Sequence, residues 1–417
     1  MDNKLSRRDF LKLAGSFAVA PALPSWMPRM AFAPEGVEPP GDVLVVVFQR
    51  GGMDGLNAVV PHGDPDYYHH RSSLAIPEPA DGSNKTGIDL DGFFGLHPSL
   101  HPLKDLWDEK ALAIVHAVGS PDPTHSHFEA MDYMERGTPG ETTIATGWVG
   151  RHLQTAPWQN DSPFRAIGMG GIMQASLRGP VPVTTLQSIA DFHLQGDTTR
   201  LVEIRQRLAA LYSLGSSLDP TATDTFNAVD LLSHVDVSNY VPANNAQYPD
   251  TEFGMSMKQV AQIMKADIGL EVACVDIGGW DTHNAEGQLD GEMPNLLNEF
   301  STGLASLYFD LGEIARRVTI VTMSEFGRRV QENASSGTDH GHGNCMFVIG
   351  GNVNGGKVYG EWPGLAADKL YGPGDLAVTS DYRDVLAEIV EKRLKNPQTT
   401  QVFPDYTDTK NMGIVQG

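Results

Sequence analysis

Six short runs of apolar, mostly β-branched or small residues recur along this chain, and they constrain its fold more than any other feature. They are Val43-Leu44-Val45-Val46-Val47-Phe48, residues 111–118, a weaker run at 164–169, residues 270–276, Val318-Thr319-Ile320-Val321-Thr322-Met323 and Cys345-Met346-Phe347-Val348-Ile349-Gly350. A run without polar alternation predicts a strand buried on both faces, as in a central parallel sheet. Between the runs lie helical periods. The clearest is Leu297, Phe300, Leu304, Leu307, Leu311 and Ile314, ending at Arg316-Arg317, with others at 200–211, 253–264 and 382–394. Strands alternating with helices of this length predict βαβ units and an α/β fold whose sheet is covered on both faces. In such a sheet ligands collect at the carboxyl ends of the strands, so chemistry is sought there.

Those ends are polar in an unusual way. The first strand runs into Gln49-Arg50-Gly51-Gly52-Met53-Asp54, where glycines permit a tight turn that leaves Asp54 over the sheet edge. The second is followed by Pro121-Asp122-Pro123-Thr124-His125-Ser126-His127-Phe128-Glu129. Its prolines and hydroxyls predict a helix start, where Ser126 meets free amides and the positive end of the dipole. The strand ending at Asp276 leads to Gly279-Trp280-Asp281-Thr282-His283, and the next to Ser324-Glu325-Phe326-Gly327-Arg328. An aspartate and a histidine two apart suit a hard or borderline cation. Finally Thr338-Asp339-His340-Gly341-His342-Gly343 precedes the last strand directly. Two histidines and a carboxylate among glycines predict metal binding or catalysis there. His69, His70, His97 and His101 read as surface or packing groups.

Composition excludes several classes. With 52 acidic against 30 basic side chains and a formal charge of −22, the chain is a poor partner for nucleic acid or anionic lipid. No Gly-x-Gly-x-x-Gly follows the first strand, and the two cysteines, Cys274 and Cys345, lie in strand-like runs without metal-site spacing. They are expected to be buried free thiols. Ser6-Arg7-Arg8-Asp9-Phe10-Leu11-Lys12, an apolar run to Leu23 and Ala31-Phe32-Ala33 predict a cleavable export signal over 1–33, of twin-arginine type. A linker is expected over 34–41 and a single domain over 42–417, located in the periplasm or outside the cell. No later stretch is long and apolar enough to span a bilayer.

Arg50-Gly51-Gly52-Met53-Asp54-Gly55-Leu56-Asn57, Ser126-His127-Phe128-Glu129-Ala130, Gly279-Trp280-Asp281-Thr282-His283, Ser324-Glu325-Phe326-Gly327-Arg328 and Thr338-Asp339-His340-Gly341-His342-Gly343 together resemble the exported bacterial family named domain of unknown function 1501. That family is similar to the alkaline phosphatase and sulfatase superfamily. The resemblance implies an alkaline phosphatase-like, three-layer α/β/α sandwich with a mainly parallel central sheet. It also implies Asp54 as a first-strand metal ligand, Ser126 as nucleophile with Thr124 as substitute, and Asp281 and His283 on a second metal. Asp276 falls where some phosphatases hold a further carboxylate. The later motifs align in two ways. Asp339-His340-Gly341 matches the superfamily's Asp-His-Gly signature. Alternatively Glu325 takes that aspartate's place, Phe326 displaces the histidine, and His340 or His342 supplies the last metal ligand. Strand order favours the second.

The activity expected is hydrolysis of a small anionic phosphate or sulfate ester, dependent on one or two divalent ions, zinc foremost and manganese or calcium as alternatives. Arg50 or Arg328 would clamp the ester oxygens. The rival expectation is a binding or cell-surface assembly protein that keeps the sandwich without turnover.

Overall fold

The structure is a computed structural model describing residues 42–80, 83–157, 160, 162–189, 231–232, 235 and 239–417. The expected signal (1–33), linker (34–41) and helix at 200–211 lie outside the described residues. Nine strands build the main sheet: β1 (Val43–Gln49), β2 (Leu112–Gly119), β3 (Ala166–Met169), β4 (Thr184–Leu186), β5 (Val272–Ile277), β6 (Val318–Met323), β7 (Asn344–Gly350), β8 (Lys357–Tyr359) and β9 (Ser380–Asp381). Their order is β8-β2-β7-β6-β1-β5-β3-β4, with β9 paired to β2. All ladders are parallel except the two made by β7, which runs against β2 and β6.

Side chains alternate across each strand, so both faces of β1 must be covered. Val45 and Val47 enter one apolar core with Met257 and Val260 of α3 (Glu252–Lys265) and Leu297, Phe300 and Leu304 of α4 (Glu292–Leu311). Leu44, Val46 and Phe48 enter the other. There they meet Met134 of α1 (His127–Arg136), Trp148 and Leu153 of α2 (Trp148–Thr155) and Leu386 and Ile389 of α5 (Tyr382–Lys392). Helices on both sides of a mainly parallel sheet make the three-layer α/β/α sandwich. On α4 the expected stripe is buried from Leu297 to Leu311, each leucine contributing roughly 1.5–3 kcal/mol. The chain then tightens into a 3-10 turn over Gly312–Arg317. Cys274 and Cys345 are buried and free.

Strands β4, β8 and β9 have no counterpart in the sequence reading, because two or three residues carry no periodic signal. The direction of β7 positions the site. Because β7 runs opposite to its neighbours, its start lies at the edge where the other strands end. The loop before it, residues 337–343, therefore joins the loops that follow β1, β2, β5 and β6.

Candidate metal centre

Three imidazoles and one carboxylate meet at this edge. Asp281 and His283 come from the loop after β5, His127 from the first turn of α1, and His340 from the loop before β7. The Nε2 atoms of His283, His340 and His127 lie 3.1, 3.2 and 3.4 Å from Asp281 Oδ1. His283 Nε2 and His340 Nε2 are 2.9 Å apart. Ligand atoms of His127, Asp281 and His340 all lie within 4.8 Å of one another.

Each ring is turned inward by an acceptor on its far side. His127 Nδ1 donates to Glu325 Oε1 at 2.7 Å, His283 Nδ1 to Asp339 Oδ1 at 3.1 Å, and His340 Nδ1 to the carbonyl of His125 at 2.9 Å. Carboxylate and carbonyl oxygens only accept, so the proton of each neutral ring sits on Nδ1 and the Nε2 lone pair faces the centre. His127 Nε2 is buried without a hydrogen-bond partner among the described residues. Lone pairs crowded at these distances repel one another unless a cation lies between them. Donors around tetrahedral zinc at about 2.0–2.1 Å are separated by roughly 3.3 Å, and the three spacings to Asp281 Oδ1 and the His283–His340 spacing, 2.9–3.4 Å, bracket that value. The donor set fits a borderline divalent ion.

The loops are held by the backbone as much as by side chains. A Cβ on Gly51, whose φ is +124°, would stand 2.7 Å from the Asp281 amide, so glycine lets the first-strand turn pass under the Asp281 loop. Gly51 N–H also donates to Glu325 Oε1 at 2.9 Å, which fixes the carboxylate that orients His127. The buried ring of Phe326 packs against both His127 and His340, with centroids at 4.9 and 4.7 Å.

Charge follows from these contacts. The hydrogen bond from His127 to Glu325 raises that imidazole's pKa despite partial burial. Burial pulls Asp281 upward, but the Arg328 hydrogen bond and charge outweigh it and bring the carboxyl down to about 2. Burial depresses His340. The Asn333 hydrogen bond is the largest influence lowering Asp339.

The residues singled out from sequence thus divide. Asp281, His283 and His340 face the centre, while Glu325 and Asp339 stand behind its histidines. Asp54 is elsewhere: it is buried and paired in bidentate fashion with Arg71, which holds its pKa down against burial. His342 stacks on Tyr371 with centroids 4.7 Å apart, outside the cluster, and burial lowers it to about 4. Arg328 does not stand free to clamp an ester. Its Nε donates to the Gly52 carbonyl at 2.6 Å, Nη1 to Thr338 at 2.9 Å, and Nη2 to Trp280 at 2.9 Å and Asp281 Oδ1 at 2.7 Å. Arg50 grips Glu135 through both terminal nitrogens and reaches Asp276 at 2.9 Å. Ser126 is the N-cap of α1, adjacent to His127, and its hydroxyl makes no cap bond. Thr124 Oγ1 is bonded to Glu129 at 2.9 Å.

Sequence reasoning missed His127, although its position one residue beyond a helix-capping serine was the available signal. It also missed Arg71, because nothing in a local window links that arginine to Asp54.

A family profile described as "Protein of unknown function (DUF1501)" matches residues 42–396. No curated protein matches. Among solved structures, the chain is similar to a protein in the alkaline phosphatase superfamily from Vibrio parahaemolyticus (9% identity, 76% of this chain and 62% of that one, TM-score 0.36). It thus spans less than two thirds of that protein. It is also similar to the C-terminal periplasmic domain of EcEptC from Escherichia coli in complex with Zn (10%, 89% and 88%, 0.39). A third is the lipoteichoic acid synthase LtaP from Listeria monocytogenes (8%, 90% and 74%, 0.35).

Proposed function

This chain belongs to the DUF1501 family of proteins of unknown function, and from that premise we propose that it is an exported, metal-dependent hydrolase of phosphate or sulfate esters. The observation that carries the metal is the convergence of three imidazole Nε2 atoms on Asp281, each ring oriented by an acceptor behind it. The likeness of the five motifs to the alkaline phosphatase and sulfatase pattern supports the substrate class.

His127, Asp281, His283 and His340 hold the ion, zinc before manganese or calcium because three of the four donors are imidazole. When bound, such an ion supplies Lewis acidity, which lowers the pKa of a coordinated hydroxyl or water and neutralises charge on a transferring group. Ser126 precedes His127 at the start of a ten-residue helix, where unpaired amides and the positive dipole end stabilise an anion. Phe326, buried against the histidines, keeps one wall apolar and strengthens the electrostatics of the centre. Arg50 and Arg328 position carboxylates of the protein rather than the ester. The twin-arginine signature at residues 7–8 supports folding around the ion before export to the periplasm or beyond.

One observation favours a second reading, a binding or assembly protein without turnover. His283 stands beside the His127–Asp281–His340 group, and a fourth protein donor would close the sphere as in structural sites, while catalytic sites keep a position open. Elemental analysis of the purified protein, with aryl phosphate and aryl sulfate assays on wild type and Ser126→Ala, separates the two. Bound metal with turnover lost in Ser126→Ala supports the hydrolase. Bound metal without turnover supports the second reading, and a folded, metal-free, inactive protein overturns the hydrolase and the metal centre.

A further inference from the structure

Beneath the centre lies a dry layer of three charged residue types: Asp54 is 1% exposed, and Arg71 and Glu286 are 0% exposed. Arg71 commits its charge to Asp54, and also gives Nε to the Val330 carbonyl and Nη2 to the Arg329 carbonyl, both at 3.0 Å. Glu286 therefore has no cation of its own in this contact. Its Oε2 accepts two hydroxyls, Thr282 Oγ1 at 3.1 Å and Thr338 Oγ1 at 2.6 Å. Its Oε1 is buried with no N–H or hydroxyl donor among the described residues. Burial and the charge of Asp54 across this layer both disfavour a charged Glu286. One guanidinium cannot neutralise two buried carboxylates. Asp54 has the guanidinium, so Glu286 has the proton.

The two threonines are what give this acid a role. Thr282 stands between Asp281 and His283, and Thr338 immediately precedes Asp339 and His340. Oε2 thus joins the two loops that carry three of the four candidate ligands. The backbone reinforces the same junction through Thr338 N–H to the Thr282 carbonyl at 3.2 Å, and Glu286 N–H to the Ser336 carbonyl at 2.9 Å. A Cβ on Gly337 would lie 2.4 Å from the His283 carbonyl carbon. The loops are packed to contact, with Glu286 under the seam.

We propose that Glu286 is a positioning residue for the metal centre: buried beside the Asp54–Arg71 layer, its carboxyl ties the Asp281–His283 loop to the Asp339–His340 loop through Thr282 and Thr338. The inference rests on reading the cluster as a metal site. Burial, followed by the charge of Asp54, holds the Glu286 carboxyl well above the usual range, in agreement with the geometry. Neither Glu286 nor the threonines touch the ion, so their effect is on ligand spacing.

The test uses the full chain, stripped with chelator and titrated with Zn²⁺ against a chromophoric competitor. The visible spectrum of the Co²⁺-loaded protein is recorded as a readout of coordination geometry. Glu286→Gln keeps a neutral side chain of the same shape whose carbonyl accepts from the threonines. It should bind Zn²⁺ within about threefold of wild type, since the bridge between the loops is kept. Glu286→Ala and the double variant Thr282→Val/Thr338→Val should weaken binding about 10- to 100-fold, the usual effect of removing support behind metal ligands, and shift the Co²⁺ bands. If Glu286→Ala does not fold, the double variant decides, because it leaves the buried acid in place. Wild-type affinity and spectrum in the threonine variant overturn the proposal. A Glu286→Gln variant as weak as Glu286→Ala overturns the neutral-acid assignment. Wild type that takes up neither ion fails the metal reading itself, an outcome distinct from loaded variants that do not differ.

Discussion

Replacing Arg71 with Met asks directly where Asp54 belongs. The guanidinium holds Asp54 Oδ1 through Nη2 at 2.9 Å and Oδ2 through Nη1, inside a layer closed to solvent. Met supplies much of the volume without the charge. Breaking a buried ion pair from one side costs about 3–5 kcal/mol, because the surviving charge is uncompensated. Asp54 and Glu286 would then share a closed space with only the charge of Arg328 left acting on Asp54, and Asp54 would remain buried chiefly by taking up a proton. The pH dependence should therefore reverse. In wild type Asp54 is depressed by Arg71; its contribution is complete above the unfolded carboxylate value near 3.9 and fades as pH falls through the lower folded value. In the variant the folded value exceeds the unfolded one, so stability persists at low pH. It declines as pH rises, by up to about 1.4 kcal/mol per pH unit, until the full penalty is reached. Urea unfolding followed by tryptophan fluorescence at pH 8 and pH 5 should show the full deficit at pH 8 and a smaller one at pH 5. Arg71→Met/Asp54→Asn should recover most of the loss with a flatter profile, since both partners of the pair are then neutral. A deficit below about 1 kcal/mol at pH 8, or an equal deficit at both pH values, refutes the placement of Asp54 in an ion pair.

Three further outcomes follow from the same contacts. His342→Ala should leave the metal content unchanged while His340→Ala abolishes it, because only His340 faces Asp281; elemental analysis of both variants checks this. Inorganic phosphate should shift the Co²⁺ spectrum of the loaded wild type if a coordination position is open, and leave it unchanged if four protein donors close the sphere. His97 and His116 are locked as neutral tautomers, each giving Nε2–H to a carbonyl and accepting a backbone N–H on Nδ1, and burial lowers both to about 4. Folding is favoured by the pair in full above the unfolded histidine value of about 6.5 and weakens toward pH 4, by up to about 1.4 kcal/mol per pH unit for each ring. His116→Gln should flatten that slope in urea titrations.

The sheet was legible because its strands are buried on both faces, and a continuous run such as 43–48 has few alternatives. The α4 stripe was legible for the corresponding reason at helical period. Strand direction was not, because β7 has the same composition as a parallel strand; only its partners reveal that it runs backwards. The site divided along the same line. Asp281 and His283 announced themselves by spacing within one loop, and His340 by its glycine-flanked context. His127 sits inside a helix start, where a histidine after a capping serine carries no spacing signal of its own. The surroundings of Asp54 were not legible, because a carboxylate at a strand end looks alike whether it faces solvent, an ion or an arginine. Its partner Arg71 is 17 residues away, beyond any local pattern.

The ion-pair at Asp54 also bears on how many ions the site holds. A two-ion arrangement needs a second group of donors close to the first, and the carboxylate that the resemblance offers for it is already bound to a guanidinium. His342, the other residue that would extend the set, faces Tyr371. What remains is the His127–Asp281–His340 group with His283 beside it and an acceptor behind every imidazole, an arrangement suited to a single cation. Arg328 would shape the chemistry of a cation bound there, because it donates to the same Asp281 oxygen that the imidazoles approach. An aspartate sharing its charge with an arginine is a weaker ligand than a free one, and the more weakly it binds, the more readily it yields its place to a substrate oxygen. The contest between hydrolase and binding protein thus turns on how tightly Asp281 holds the ion against the pull of Arg328.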